Sequence, residues 1–177
     1  DADIDLAVKA VTRAAFACSG QWCTSTSRVI VDKKVAKEFT DKLVKATKEI
    51  IVGDGFDQNA GMGPVCGTDQ FENIMRYIEI GKKEGATLLT GGNIIKNNPF
   101  EEGCFIEPTI FGNVKPDMKI AQEEIFGPVL SLIPVENLEE AIVVSNGIIY
   151  GLSSSVFTNN LKHAMTFINQ TEVGFTH

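Results

Sequence analysis

The string Gly20-Gln21-Trp22-Cys23-Thr24-Ser25-Thr26-Ser27-Arg28 holds the most chemically suggestive side chain of the sequence, the thiol of Cys23. It falls between a predicted helix and a predicted strand. Such irregular connections in α/β domains let side chains escape the packed layers while rigid elements hold them in place. An aromatic precedes the thiol and hydroxyl residues follow it, which suits a side chain in a pocket. As a thiolate, Cys23 would attack a carbonyl carbon and carry a covalent intermediate, given a base, a cation or a helix N-terminus beside it. A lone cysteine is more often a small buried residue, so residue type alone does not make Cys23 catalytic. A cysteine hydrolase would need His163, the interior histidine, near Cys23; its position after Lys162 in a polar helix points instead to a solvated face.

A second string, Gln122-Glu123-Glu124-Ile125-Phe126-Gly127-Pro128-Val129, sets two carboxylates and an aromatic ahead of a rigid Gly-Pro turn and an apolar run. A carboxylate held there could accept hydrogen bonds from ribose hydroxyls; the string by itself equally allows two solvated charges beside a turn. The glycine-rich Gly61-Met62-Gly63-Pro64-Val65-Cys66-Gly67 fits neither G-x-G-x-x-G nor G-x-x-x-x-G-K-S/T, and reads as turn geometry rather than a phosphate cradle. The four cysteines, Cys18, Cys23, Cys66 and Cys104, form no C-x-x-C pair and have only two histidines to join them, so no metal site is expected.

The elements that must position these groups follow from periodicity. Ala7, Val11, Ala14, Ala15 and Cys18 recur at helical spacing behind the acidic Asp1, Asp3 and Asp5, with Gly20 as terminator. Residues 28–32 predict a β-branched strand, and Val35, Phe39, Leu43, Ala46 and Ile50 an amphipathic helix. Residues 53–67 hold five glycines and a proline and predict a long irregular loop. Thr68-Asp69 then predict a helix cap answered by Glu72, with Phe71, Ile74, Met75 and Ile78 as the apolar stripe before Gly85. Further on come a strand at 86–90, a polar turn at 91–103, an extended run at 104–114 and an apolar strand at 129–135. Asn137 to Glu140 predict a capping box, 153–157 a strand, Leu161, Met165 and Ile168 a helix, and 173–175 an extended end. This alternation predicts an α/β domain of three α/β/α layers around a mostly parallel sheet.

Composition bounds the rest. The 177 residues, 44% of them hydrophobic, suffice for one domain that buries its own core without disulfides or metal. A net charge of −7 disfavours nucleic acid and anionic membrane as partners. No signal-like segment or membrane-spanning apolar run appears, which predicts a protein of a reducing, cytoplasmic compartment. A start at Asp1 and an end in an extended run suggest a piece of something longer.

Taken together, four strings in order resemble the aldehyde dehydrogenase superfamily over essentially the whole chain. They are the helix leading to Ser19-Gly20-Gln21-Trp22-Cys23-Thr24, the run Gly103-Cys104-Phe105-Ile106-Glu107-Pro108-Thr109, Glu123-Glu124-Ile125-Phe126-Gly127-Pro128-Val129, and Asn146 with Tyr150-Gly151-Leu152. The resemblance implies that Cys23 attacks an aldehyde to give a thiohemiacetal, that hydride passes to NAD or NADP, and that water hydrolyses the resulting thioester. It implies an oxyanion donor in the Cys23 backbone N–H, a nicotinamide-ribose contact in Glu124, aromatic packing near the nicotinamide in Phe126, and an aldehyde channel lined by Trp22 and Thr24. It further implies a homo-oligomer acting on a small aldehyde. The residues around Cys23 look most like those of members that act on semialdehydes of dicarboxylic acids.

On this reading residues 1–177 are the nucleophile-bearing catalytic domain. The N-terminal cofactor-binding domain, the general-base glutamate, the second oxyanion donor and a C-terminal segment would lie outside it, and the chain alone would be inactive. A non-catalytic α/β oligomerisation or structural module, in which Cys23 merely packs, is the competing expectation.

Overall fold

A computed structural model describes residues 1–96 and 103–177. In chain order the helices are α1 (Ile4–Phe16), α2 (Lys33–Lys48), α3 (Gly67–Lys83), α4 (Lys119–Gln122), α5 (Leu138–Asn146) and α6 (Leu161–Gln170). The strands are β1 (Arg28–Asp32), β2 (Thr87–Thr90), β3 (Thr109–Gly112), β4 (Val129–Val135), β5 (Ser153–Ser154) and β6 (Phe175–Thr176). A short 3-10 turn, Ala17–Gly20, follows α1.

The main sheet runs β1-β4-β3-β2. β4 pairs in parallel with both β1 and β3, whereas β2 pairs antiparallel to β3. The segment between β2 and β3 contains no helix among the described residues and makes an antiparallel bridge, Ile94 to Ile106, so the chain returns beside itself instead of crossing over the sheet. The polar turn expected at 91–103 falls partly on 97–102, outside the described residues.

β4 is buried on both faces, as a central parallel strand must be. Leu130 and Leu132, with Ile110 of β3, pack under α1 and α2 through Val8, Val11, Phe16, Phe39 and Leu43. Val129, Ile133 and Val135, with Phe111 of β3, pack on the other side against Ile74 and Ile78 of α3 and Val144 of α5. The period-two alternation of β4 thus divides one strand between two cores, which makes the domain the three-layer α/β/α sandwich expected from sequence.

Helix starts follow local chemistry. Asp3 accepts from the Leu6 N–H at 3.0 Å, Asp32 from Lys34 at 2.8 Å and Asn137 from Glu140 at 2.9 Å. The capping box is displaced by one position, because Glu140 reaches back to the Glu136 N–H rather than to that of Asn137. At the other end of α5, the Arg28 guanidinium donates to the carbonyls of Val144 and Ser145, capping orphan acceptors with a cation.

Several expectations need correction. α1 stops at Phe16, so Cys18 lies beyond the helix stripe and is exposed. Thr68-Asp69 do not cap α3: the chain enters it through Gly67 at φ 78°, and the preceding residue, Cys66, makes no side-chain cap bond. Of the extended run 104–114 only Thr109–Gly112 is strand. Similarly, 153–157 contracts to β5 and 173–175 shifts to β6, and these pair with each other in a separate two-stranded parallel sheet. On α6 the expected apolar stripe of Leu161, Met165 and Ile168 faces outward, and Phe167 is the buried side chain. No helix among the described residues is long and apolar enough to cross a membrane.

The Glu107-Pro108-Thr109 string proves to be framework. Thr109, fully buried, accepts from the Gly92 N–H at 2.9 Å and donates to the Glu107 carbonyl at 2.8 Å. Thr109→Val would keep the shape and orphan a buried N–H, so chemical denaturation should report a loss of about 1–3 kcal/mol.

Candidate active site

The turn after α1 carries three successive residues in the left-handed region, Cys18, Ser19 and Gly20, at φ 50°, 58° and 68°. For a non-glycine residue that conformation costs on the order of 1–3 kcal/mol, so the surroundings must hold it. They do so through side chains. The buried Ser19 hydroxyl donates toward the carbonyls of Gly63, at 2.9 Å, and Pro64, at 3.2 Å. The Gln21 amide accepts from the Cys66 N–H at 2.8 Å and donates to the Cys18 carbonyl at 3.4 Å. The glycine-rich 61–67 loop, legible only as turn geometry in the sequence, is therefore the mount of the Cys23 segment.

Gly20 has a second constraint. A Cβ there would sit 2.2 Å from the Gly127 carbonyl oxygen, so only glycine permits the approach. This contact joins the two strings that the sequence singled out separately.

Beyond Gly20 the chain makes a tight turn, with the Ser25 N–H bonded to the Trp22 carbonyl at 3.0 Å, and is then tied to α1 by the Thr26 N–H on the Ala14 carbonyl at 3.2 Å. Trp22, Cys23 and Thr24 are all exposed on this turn. The Cys23 thiol is free of any disulfide, and its backbone N–H meets no acceptor among the described residues. An oxyanion forming on a carbon bonded to the Cys23 sulfur would find an available donor there.

On the facing segment Ile125 is sunk in the core, which turns its neighbours Glu124 and Phe126 outward. Phe126 adopts φ 55° and is 39% exposed. Gln70, at the end of the first turn of α3, donates its side-chain amide to the Ile125 carbonyl at 2.9 Å and to the Phe126 carbonyl at 2.8 Å. Gly127 lies so close to α3 that a Cβ would meet the Ile74 side chain at 2.4 Å.

The two carboxylates part company. Glu123 accepts from the Tyr77 hydroxyl and pairs with Lys119 at 3.5 Å. Chiefly the Tyr77 bond, and then Lys119, hold its carboxyl below the usual carboxylate range, while burial and the same bond push the Tyr77 hydroxyl up. Glu124 is exposed and enters no hydrogen bond or ion pair among the described residues. An unengaged carboxylate beside an exposed aromatic ring is free to accept hydrogen bonds from hydroxyl groups of a ligand.

Other predicted residues lie elsewhere. His163 is exposed in the first turn of α6, with its N–H on Asn160, and no hydrogen bond links it to Cys23 among the described residues. Asn146 is framework: it donates to the Gln170 carbonyl at 2.8 Å and accepts from the Glu172 N–H at 3.0 Å. Sequence reasoning missed Ser19, Gln70 and Tyr77 as supports. Only Gly20 carried a signal for the turn at Ser19; nothing local marks Gln70.

The profile of the aldehyde dehydrogenase family matches residues 1–177. The alpha-ketoglutaric semialdehyde dehydrogenase of Bacillus subtilis is 45% identical over 174 residues, covering 98% of this chain and 36% of that protein. Betaine aldehyde dehydrogenase of Staphylococcus aureus, solved in complex with NAD+, superposes with a TM-score of 0.97 at 36% identity, over 99% of this chain and 35% of that one. An apo point mutant of the same protein, with a BME-modified cysteine, gives the same TM-score and identity over the same 99% and 35%. The chain thus spans about a third of the length of these relatives. With every residue matched by the profile and the fold shared at that similarity, the chain belongs to the aldehyde dehydrogenase family.

Proposed function

We propose that residues 1–177 are the nucleophile-bearing part of an NAD(P)-dependent enzyme that oxidises an aldehyde to its carboxylic acid. The observation that carries this reading is the Gly20 to Gly127 contact, which ties an exposed thiol three residues beyond Gly20 to an exposed carboxylate three residues before Gly127. The solved relative with NAD+ and the relative with a BME-modified cysteine support a cofactor and a reactive thiol in this family.

In the proposed reaction the Cys23 thiol gives its proton to a general base, which the family resemblance places on a glutamate outside this chain. Its sulfur lone pair forms a bond to the aldehyde carbon. The carbonyl π pair moves to oxygen, where the Cys23 N–H receives the developing charge. Reformation of the C=O bond expels hydride from the tetrahedral carbon and leaves a thioester on Cys23. The nicotinamide supplies the hydride acceptor. Water then attacks the thioester carbon, the sulfur leaves and regains a proton, and the carboxylic acid is released. Glu124 would hold the ribose and Phe126 would pack beside the nicotinamide, which together would orient the hydride acceptor, and Trp22 and Thr24 would line the way in for the aldehyde.

Overall identity does not separate substrate classes, at 45% to the semialdehyde dehydrogenase and 44% to a rat retinaldehyde dehydrogenase, so the dicarboxylic semialdehyde assignment rests on the resemblance of the residues around Cys23. In the longer protein that contains this chain, kcat/KM for such a semialdehyde should exceed that for betaine aldehyde by about tenfold or more. The reverse order, measured side by side, removes that assignment.

Further tests address the residues. Cys23→Ser in that protein should cut aldehyde oxidation by about a thousandfold or more while the Kd for NAD changes less than about twofold, because a hydroxyl is a far weaker nucleophile near neutral pH. Near-normal turnover would exclude Cys23 as nucleophile. Glu124→Gln should lower the rate of hydride transfer, or raise the KM for NAD, by about tenfold. The 1–177 polypeptide alone should form no NADH with any aldehyde, since no base is bonded to Cys23 among its described residues; steady NADH formation would show otherwise.

A further inference from the structure

The main-chain course of the Glu124 segment is unusual, and one side chain accounts for it. Phe126 sits in the left-handed region, so the peptide groups on either side of it turn their carbonyls the same way, toward α3. There the single Gln70 amide, partly buried, spends both of its N–H bonds on the two successive carbonyls, Ile125 at 2.9 Å and Phe126 at 2.8 Å. Two acceptors converge on one donor group that has no hydrogen to spare. Gly127, pressed against Ile74 of the same helix, removes the space in which the segment could relax. The N-terminus of α3 also holds the thiol side of the site, through the Cys66 N–H on Gln21.

We propose that Gln70 is a positioning residue: by clamping the Ile125 and Phe126 carbonyls to α3, it sets the direction in which Glu124 and Phe126 meet the cofactor relative to Cys23. Gln70 acts through main-chain groups and not by contact with the aldehyde. The proposal rests on the assignment of Glu124 and Phe126 to the cofactor.

Two substitutions in the longer protein separate the possibilities. Gln70→Glu keeps the size but replaces the donor with a carboxylate that faces two carbonyls. Gln70→Met keeps the length without polarity. Each is read by the melting temperature, by the rate of Cys23 alkylation with iodoacetamide in the absence of cofactor, and by the rate of the first-turnover NADH burst.

The expected result is a burst slowed by about tenfold or more and a raised KM for NAD, with the alkylation rate within about twofold of the parent. A burst within about twofold of the parent in either folded variant overturns the proposal. Parallel loss of alkylation and burst, or failure of both variants to fold, overturns it as well, since Gln70 would then be a general structural support. Glu124→Gln is run alongside. If it leaves the burst and the NAD KM unchanged, the cofactor assignment itself falls; if it impairs them while the Gln70 variants do not, only the role of Gln70 falls.

Discussion

Two backbones meet where no side chain can intervene, at Gly20 and the carbonyl of Gly127. Gly20 lies at the end of a turn that leaves α1, and Gly127 opens the approach to the central strand β4. Because the contact is main chain on main chain, its length cannot be adjusted by a rotamer, and everything attached to either side inherits its geometry. The left-handed run from Cys18 to Gly20, the Ser19 hydroxyl in the 61–67 loop and the Gln21 amide on Cys66 read as the means by which one partner is delivered to that contact. Ile125 in the core and Ile74 under Gly127 deliver the other.

α3 is the beam common to both. Its apolar face, Ile74 and Ile78 with no measurable exposure, is fixed against the sheet by the same core that receives Phe111, Val129 and Ile133. Polar groups near its N-terminal end reach outward to the two site segments. Dense packing at one end thereby lends precision to hydrogen bonds at the other, which is how a loop-borne site gains the definition of a rigid element.

Strong periodicity made the elements legible. The β-branched run of β1, the apolar run of β4, the acidic start of α1 and the Asn137 cap of α5 each combine local preference with the tertiary outcome, so reading one gives the other. Cys23, Glu124 and Phe126 stood out as residue types in irregular connections and by family resemblance. Their supports did not. Gln70 contacts carbonyls some fifty-five residues away and Ser19 others more than forty away, and neither partnership leaves a periodic or compositional trace. The end of α1 was misplaced for a related reason: Cys18 and Ser19 adopt a conformation that their own preferences oppose, and a distant loop imposes it. The outward stripe of α6 follows the helical period correctly but has no partner surface among the described residues, so periodicity gave the element and not its burial.

The pairing of β1 with β4 has a consequence in time. Arg28 lies against Ser131 and Asp32 against Val135, partners about a hundred residues apart in the chain. Until the ribosome has released β4, the segment that follows the cysteine turn has no neighbour on which to form a sheet, and α1 and α2 have no strand face to cover. The apolar faces of α1, β1 and α2 therefore lack this partner until residues 129–135, the last strand of the main sheet in chain order, have been made. Pairing across so long a separation closes a large loop before any contact rewards it, which makes this pair a slower step than the forming of a local helix.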